Sequence, residues 1–282
     1  MLVYYNGEFM PSEQVSIHFE DRGYQFADGI YEVVRIYNNR LFHLQPHLER
    51  LQLSAAGIEL DLPWSAAELT EAMFRLVEEN KPGDGIIYLQ ITRGVSPRNH
   101  KFPGDPKPVI IMYTREFKRP LENMQNGVTA ITAPDERWLR CNIKSISLLP
   151  NVLAKQRASR ADAYEAILVR NGKVTEGSSS NVLCVRGNMV YTHPANNLVL
   201  NGITRQALAR IVRQEGLHFV EEAFDVPFLL GSDEAIDSST TSEVTPIIRI
   251  DGHPIGTGTP GPVTRRLQAA FDREIERETG KA

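Results

Sequence analysis

Short runs that alternate apolar and polar residues, each closed by a turn dipeptide, fill the beginning of the chain. Leu2 to Tyr5 runs into Asn6-Gly7, Val15 to Phe19 follows, and Tyr31 to Tyr37 ends at Asn38-Asn39 before Leu41-Phe42. This pattern predicts antiparallel hairpins. The apolar period then lengthens. Leucines at 44, 48, 51 and 53, and next Leu69, Met73, Phe74, Leu76 and Val77, recur at helical spacing. They predict one helix from about Leu44 to Ala56 and another from Trp64 to Glu79. Two strand-like runs, Gly85 to Thr92 and Val109 to Tyr113, lead into Thr114 to Pro120, which is charged, non-periodic and closed by proline. A boundary is expected there, with a smaller N-terminal α/β domain over residues 1–115, a linker over 116–121 and a larger domain over 122–282.

The second half reads as a strand from Val128 to Ala133 and a helix from about Asn151 to Tyr164. Two hairpins follow, turning at Asn171-Gly172 and Gly187-Asn188, then a helix from Thr204 to Glu215, a strand near Ala235 to Asp237 and a last helix from about Val263 to Glu278. Strands clustered in hairpins, with helices inserted rather than alternating, predict an α+β protein of two mixed α/β domains and argue against a doubly wound parallel sheet. That disposes of one decoy. Gly256 to Gly261 matches the glycine spacing of a dinucleotide loop, but too little chain follows for a second parallel strand, so it reads as a loop entering a helix. His43 and His47 have zinc-ligand spacing, yet Pro46 and the missing glutamate make a surface helix start the better reading.

Composition narrows the function. The 282 residues carry 31 basic and 35 acidic side chains, a net charge of −4 without a cationic tract, so nucleic acid is not expected as a partner. No run is long and apolar enough for a membrane span. The two cysteines, Cys141 and Cys184, have no metal-ligand or redox spacing, and a cytoplasmic location is expected. Only eight of the basic residues are lysines. A lysine that condenses with a carbonyl must be partly desolvated, and Lys144, in the apolar stretch Cys141 to Leu149, has that setting. The alternative is a lysine that merely snorkels from a strand. Glu176 stands beside a glycine and three serines, a turn that is often merely polar but that, with a pyridine ring nearby, offers the carboxylate needed to keep its nitrogen protonated. Asn201 to Thr204 and Ser238 to Ser242 offer amides and hydroxyls suited to phosphate, though ordinary capping explains each. Arg50 could supply a matching cation. Arg98 and His100, converging from one proline-containing turn, suit a small carboxylate.

Several of these segments together carry a resemblance: Phe26 to Val34, Arg93 to His100, Arg137 to Ser145, Thr175 to Asn181, Thr192 to Asn197, Gly202 to Arg205 and Ser239 to Glu243. The chain resembles the fold-type IV pyridoxal-phosphate aminotransferases over essentially its whole length, and the Pro97 to His100 turn resembles the branch that acts on D-amino acids. The resemblance implies two mixed domains with pyridoxal 5′-phosphate between them. Lys144 would be the catalytic residue and the covalent attachment point, and Glu176 would pair with the ring nitrogen. Arg50, Ile203, Thr204 and Thr240 would hold the phosphate with Ser239 close by. Arg137 and Ser179 would line the ring and Leu200 would pack against it. Tyr31, Arg98 and His100 would bind the substrate carboxylate, the last two reaching across a homodimer interface. The reaction implied is transamination between a D-amino acid such as D-alanine and a 2-oxo acid such as 2-oxoglutarate. A branched-chain aminotransferase, an aminodeoxychorismate lyase or a catalytically silent anion-binding protein are the competing readings.

Overall fold

The computed structural model describes residues 1–280, which separate into two compact units. The first comprises Met1–Lys118, Ile143–Ser147 and the last described residues from Glu278; the second comprises Arg119–Asn142 and Leu148–Arg277.

In the first unit the strands are β1 (Leu2–Tyr5), β2 (Glu8–Pro11), β3 (Gly29–Tyr37), β4 (Arg40–Phe42), β5 (Gly85–Thr92) and β6 (Val109–Glu116), with helices α1 (Arg22–Phe26), α2 (Leu44–Gly57) and α3 (Ala66–Asn80). The sheet runs β2-β1-β6-β5-β3-β4 and every neighbouring pair is antiparallel. Its hairpins turn where the dipeptides indicated: Asn6-Gly7 and Asn38-Asn39 hold the positive φ values that such tight turns demand. Helix α3 starts in a capping box, Ser65 with Glu68. The apolar faces of α2 and α3, with Leu48, Leu51, Met73 and Leu76, pack in one core with Val34, Ile87, Leu89 and Met112 of the sheet. Val15 to Phe19 forms no strand. The stretch is largely solvent-exposed and outside the sheet, so its alternation has no face to bury.

In the second unit the strands are β7 (Val128–Pro134), β8 (Glu165–Arg170), β9 (Lys173–Gly177), β10 (Asn181–Arg186), β11 (Met189–Thr192), β12 (His218–Glu221), β13 (Glu234–Ser239), β14 (Glu243–Ile250) and β15 (His253–Pro254). The helices are α4 (Leu121–Asn126), α5 (Leu149–Arg160), α6 (Ile203–Gln214), α7 (Val226–Leu230) and α8 (Pro262–Thr279). The sheet order is β12-β11-β10-β13-β14-β7-β8-β9, with β15 on β14. The β11–β12, β14–β7 and β7–β8 pairs are parallel and the rest antiparallel, so the sheet is mixed and not doubly wound. Strand β14 escaped the pattern reading because Pro246 interrupts it, a residue that normally argues against an inner strand. Helix α5 stops earlier than its apolar pattern, since Asp162 just beyond it has φ +53°.

Both decoys resolve physically. At the start of α8, the amides of Val263 and Thr264 donate to Glu234 at 2.8 and 2.7 Å, so a carboxylate already fills the place a phosphate would take. His43 and His47 are buried rather than at a surface, and they face different carboxylates, Glu278 and Glu32. The division of the chain also differs from a single cut. β6 runs to Glu116 and α4 begins at Leu121, leaving only 117–120 irregular, and Ile143–Ser147 joins the first unit. There Tyr31 N donates to the Lys144 carbonyl at 3.0 Å, Ile146 N donates to that of Gly29 at 3.1 Å, and Ile143 enters the core.

The turn carrying Arg98 depends on Gly94, whose φ is +93° and where an added Cβ would lie 1.9 Å from the Lys107 carbonyl oxygen. Gly94→Ala should therefore cost roughly 2–4 kcal/mol in urea unfolding, and a loss below about 0.5 kcal/mol would contradict this account of the turn.

Candidate active site

Among the described lysines only Lys144 and Lys155 are not exposed, and Lys281 lies outside the described residues. Lys155 donates to the Tyr164 carbonyl and stands 3.7 Å from Glu165, which gives it a structural partner. Lys144 instead places its Nζ 4.2 Å from the centre of the Tyr31 ring, while its backbone amide donates to Ser54 Oγ at 3.1 Å. Tyr31 itself stacks on Tyr88, which touches Tyr113, so an aromatic wall stands beside the amine. Burial pushes the Tyr88 hydroxyl well above its ordinary range.

Close to this lysine is a buried triad. Glu32, next to Tyr31 on β3, accepts from Arg50 Nε and Nη2, each at 2.8 Å, and meets His47 Nδ1 at 2.8 Å. Burial opposes ionisation of Glu32, but the Arg50 guanidinium and His47 outweigh it and hold the carboxyl far below its usual range. Burial also lowers the His47 pKa, against the pull of Glu32, with Arg50 and Lys144 adding to the lowering. Arg50 and Glu32 thus cancel, and His47 stays neutral beside the lysine.

Arg98 and His100 are exposed and share the Phe26 ring, Arg98 at 4.4 Å and His100 at 5.3 Å between centres. Their turn is anchored by Arg22, which sequence reasoning missed. Buried Arg22 donates to the Asn99 carbonyl at 2.6 Å and to Asp28 at 2.8 Å, and Asp28 also accepts from Arg93. Arg22 and Asp28 sit six residues apart across α1, a spacing without a recognisable signature.

The second unit contributes the other set. Glu176, at the end of β9, is 4% exposed. Its Oε1 accepts from Arg137 Nη1, and its Oε2 accepts from Asn181 Nδ2 at 2.9 Å and from the Leu200 amide at 3.0 Å. Asn181 also donates to the Leu200 carbonyl at 2.9 Å, tying the residues on both sides of Glu176 together. Burial pushes the Glu176 carboxyl up to about 7, against the opposing pull of Arg137. Arg137, expected along a cofactor ring, is engaged with two carboxylates, since its Nε and Nη2 also donate to Asp135 at 2.9 and 2.8 Å. Asp135 accepts from Arg170 and Thr175 as well, and despite its burial these bonds lower its pKa to about 2.

The phosphate candidates sit at two turns. Ile203 and Thr204 are buried in the first turn of α6, whose N-cap Gly202 provides no side-chain cap. A Cβ at Gly202 would lie 2.2 Å from Asn181 Oδ1, so this close approach requires glycine. Ser239 Oγ accepts from the amides of Thr241 and Ser242 at 3.3 and 3.0 Å and pairs with Ser242 Oγ at 2.7 Å, beside half-buried Thr240. Ser179 is exposed and donates to Glu165. The structure therefore brings together Lys144 with Tyr31, Arg98 with His100, and Glu176 with Arg137 and Leu200. Arg50 it pairs with Glu32.

Removing the Arg137 charge should leave Glu176 and Asp135 poorly compensated. Arg137→Met is expected to cost about 3–5 kcal/mol at neutral pH. The sign of the pH dependence follows from Glu176, raised from 4.5 to about 7. Its contribution to folding of the cofactor-free protein is full below about 4.5 and is lost as pH rises to about 7, and the variant should fall more steeply there. Urea unfolding of both proteins across that range checks it; parallel curves less than about 1 kcal/mol apart would speak against a buried pair.

Comparison with known proteins gives the family. The family model for amino-transferase class IV matches residues 29–250. The D-alanine aminotransferase of Bacillus licheniformis is 49% identical over 281 residues, covering 100% of this chain and 99% of that one. That of Staphylococcus epidermidis is 50% identical over 275 residues, covering 97% and 98%. Among solved structures, the branched-chain amino acid aminotransferase of Escherichia coli superposes with a TM-score of 0.91 at 26% identity, covering 96% of this chain and 93% of that one. The branched-chain aminotransferase of Thermoproteus uzoniensis, a thermophilic archaeon, solved with norvaline, gives 0.89 at 27% identity, covering 99% and 96%. The chain belongs to the class IV aminotransferases.

Proposed function

We propose a division of labour among these residues for the reaction the chain catalyses, pyridoxal-phosphate-dependent transamination between a D-amino acid of the D-alanine type and a 2-oxo acid. The observation that carries it is Glu176: a buried carboxylate with Arg137, Asn181 and Leu200 on its two oxygens, next to a turn of hydroxyls. Such a group, ionised by its donors yet penalised by its burial, suits the protonated nitrogen of a pyridine ring. The residues present fit the cofactor in other respects. The uncapped first turn of α6 at Ile203 and Thr204, with Ser239 and Thr240, suits a phosphate. Leu200 and Ser179 flank the ring, and Arg137 acts on it through Glu176.

Pyridoxal 5′-phosphate, when bound, supplies the aldehyde carbon that exchanges the amino group and a ring that stores the electrons released. Lys144 would be the residue that holds it. The Lys144 Nζ would also move the proton at the substrate Cα, and a half-buried amine over an aromatic face, with neutral His47 nearby, supports that role. Tyr31, Arg98 and His100 bind the substrate carboxylate. Both Arg98 and His100 are exposed, which supports a homodimer in which they serve the partner subunit's site. The two cysteines are free thiols, which supports action in the cytoplasm. Among the described residues no helix is long and apolar enough to cross a membrane.

A branched-chain activity has the structural likeness in its favour, but the far higher identity to D-alanine aminotransferases supports the D-specific reading. A panel of D- and L-amino acids offered with 2-oxoglutarate tests it: turnover of D-alanine and D-glutamate is expected, and turnover of L-leucine or L-valine instead would overturn it. Lys144→Ala should abolish turnover while the fold persists.

The shared site has its own test. Lys144→Ala and Arg98→Ala chains, refolded together in equal amounts, give mixed dimers in half the population, each with one intact site. About a quarter of wild-type activity should return from two inactive parents. No recovery despite confirmed mixed dimers would mean that Arg98 serves its own chain.

A further inference from the structure

Behind the turn that follows Glu176 lies a second carboxyl pair that the reaction does not use. Glu165 opens β8 and Asp237 lies within β13, and each is 1% exposed. Ser180 reaches both: its Oγ is 3.1 Å from Glu165 Oε2 and is hydrogen-bonded to Asp237 Oδ1. A serine hydroxyl has one proton to give. Glu165 is crowded with donors. Its Oε1 accepts from the amides of Ala166 and Ser178 at 2.7 and 3.2 Å and from Ser178 Oγ; its Oε2 faces Ser179 Oγ at 3.2 Å and Ser180. Lys155 Nζ stands 3.7 Å away. Only an ionised carboxylate can accept from so many donors. The Ser180 proton therefore points to Glu165, and the contact between Ser180 and Asp237 needs a proton from Asp237.

We propose that Asp237 is held as an uncharged carboxylic acid that donates to Ser180 Oγ while Ser180 donates to Glu165, and that this proton positions the Glu176 turn for the cofactor. Burial and the neighbouring Glu165 charge push the Asp237 carboxyl up to about 7, in keeping with that state. The ionisable groups facing it are Glu165 on β8, Tyr164 just before it and Lys155 on α5; the flanking strands β10 and β14 present Val182 and Thr245 at its level, neither ionisable. Asp237 also bonds to Ser242, the partner of Ser239, so one side chain touches both the turn after Glu176 and the turn proposed for phosphate. The packing is tight: a Cβ at Gly177 would lie 2.1 Å from Ser180 Oγ. Once Asp237 ionises, two adjacent carboxylates compete for one serine proton and repel. The loosened Ser180 is followed directly by Asn181, which holds Glu176 Oε2. Asp237 is thus a positioning residue; its effect on cofactor rests on the reading of Glu176 given above, while its protonation does not.

The same chemical change at the two partners should have opposite effects. Asp237→Asn keeps a donor facing Ser180, so the holoenzyme should retain its cofactor and lose the acceleration of cofactor release expected of wild type as pH rises through about 7. Glu165→Gln sets an amide among donors and should release cofactor at every pH, as should Asp237→Ala. Infrared spectra supply the direct readout: among the carbonyl bands of un-ionised carboxylic acids that wild type keeps above the ordinary carboxylate range and below about pH 7, the Asp237 band is present with or without cofactor and missing from Asp237→Asn, while that of Glu176, also raised to about 7 without cofactor, is identified by its loss in Glu176→Gln. Absence of the Asp237 band in wild type, its survival in Asp237→Asn, or tolerance of Glu165→Gln but not Asp237→Asn would overturn the assignment of the proton. Equal pH dependence of cofactor release in wild type and Asp237→Asn would overturn the positioning role. An Asp237 band found where the protein binds no cofactor would leave the proton in place and remove the reading of Glu176 instead.

Discussion

A carboxylate with almost no contact with water must be compensated by its neighbours or lose its charge, and Glu176 sets that requirement for the second unit. Three donors meet its two oxygens, and each comes from a different part of the chain: Arg137 from the segment after β7, Asn181 from β10, and the Leu200 amide from the loop before α6. The guanidinium that stabilises it is itself buried, so Asp135 balances Arg137, and Arg170 and Thr175 balance Asp135. Desolvation still wins over these partners, and the Glu176 carboxyl rises to about 7. On the reading proposed above, that residual cost makes the site receptive to a cation, and a protonated ring nitrogen would supply the charge the protein leaves uncompensated.

The first unit solves the same problem in the other direction. Glu32 is as deeply buried as Glu176, yet the bidentate grip of Arg50 and the bond to His47 hold it firmly ionised. The set is then close to neutral, and Lys144 has beside it an aromatic face and an uncharged imidazole rather than a counter-ion. An amine in that setting is not locked into a salt bridge. The two buried glutamates therefore differ in kind: one is satisfied by the fold, and the other is left short of charge.

Local signals made the hairpins, the main helices and the α+β class legible, because turn dipeptides and apolar period act over a few residues. That Lys144 is the lysine to consider was legible from its surroundings, since so few lysines exist, while its role came only from the resemblance. The order of the sheets and the partners of the site residues were not. Arg22 anchors the Arg98 turn through carbonyls almost eighty residues away, as at Asn99, and Asp237 meets Ser180 across 57 positions. Nothing in residue spacing encodes such pairs. The strand β14 was hidden by Pro246, and Val15 to Phe19 alternated without a sheet to join, which are opposite failures of one rule: periodicity reports what could be buried, and tertiary packing decides what is. Arg137 was assigned to the ring by resemblance, and its grip on Glu176 became visible only from the coordinates.

The central claim is that Glu176 is short of charge and keeps the ring nitrogen of the cofactor protonated. Nuclear magnetic resonance of the holoenzyme reconstituted with cofactor labelled at that nitrogen measures its protonation directly. The nitrogen should be protonated in wild type across the range where Glu176 is ionised, and should lose its proton in Glu176→Gln with the cofactor still bound. An unprotonated nitrogen in wild type, or a protonated one that the substitution leaves unchanged, would contradict the account.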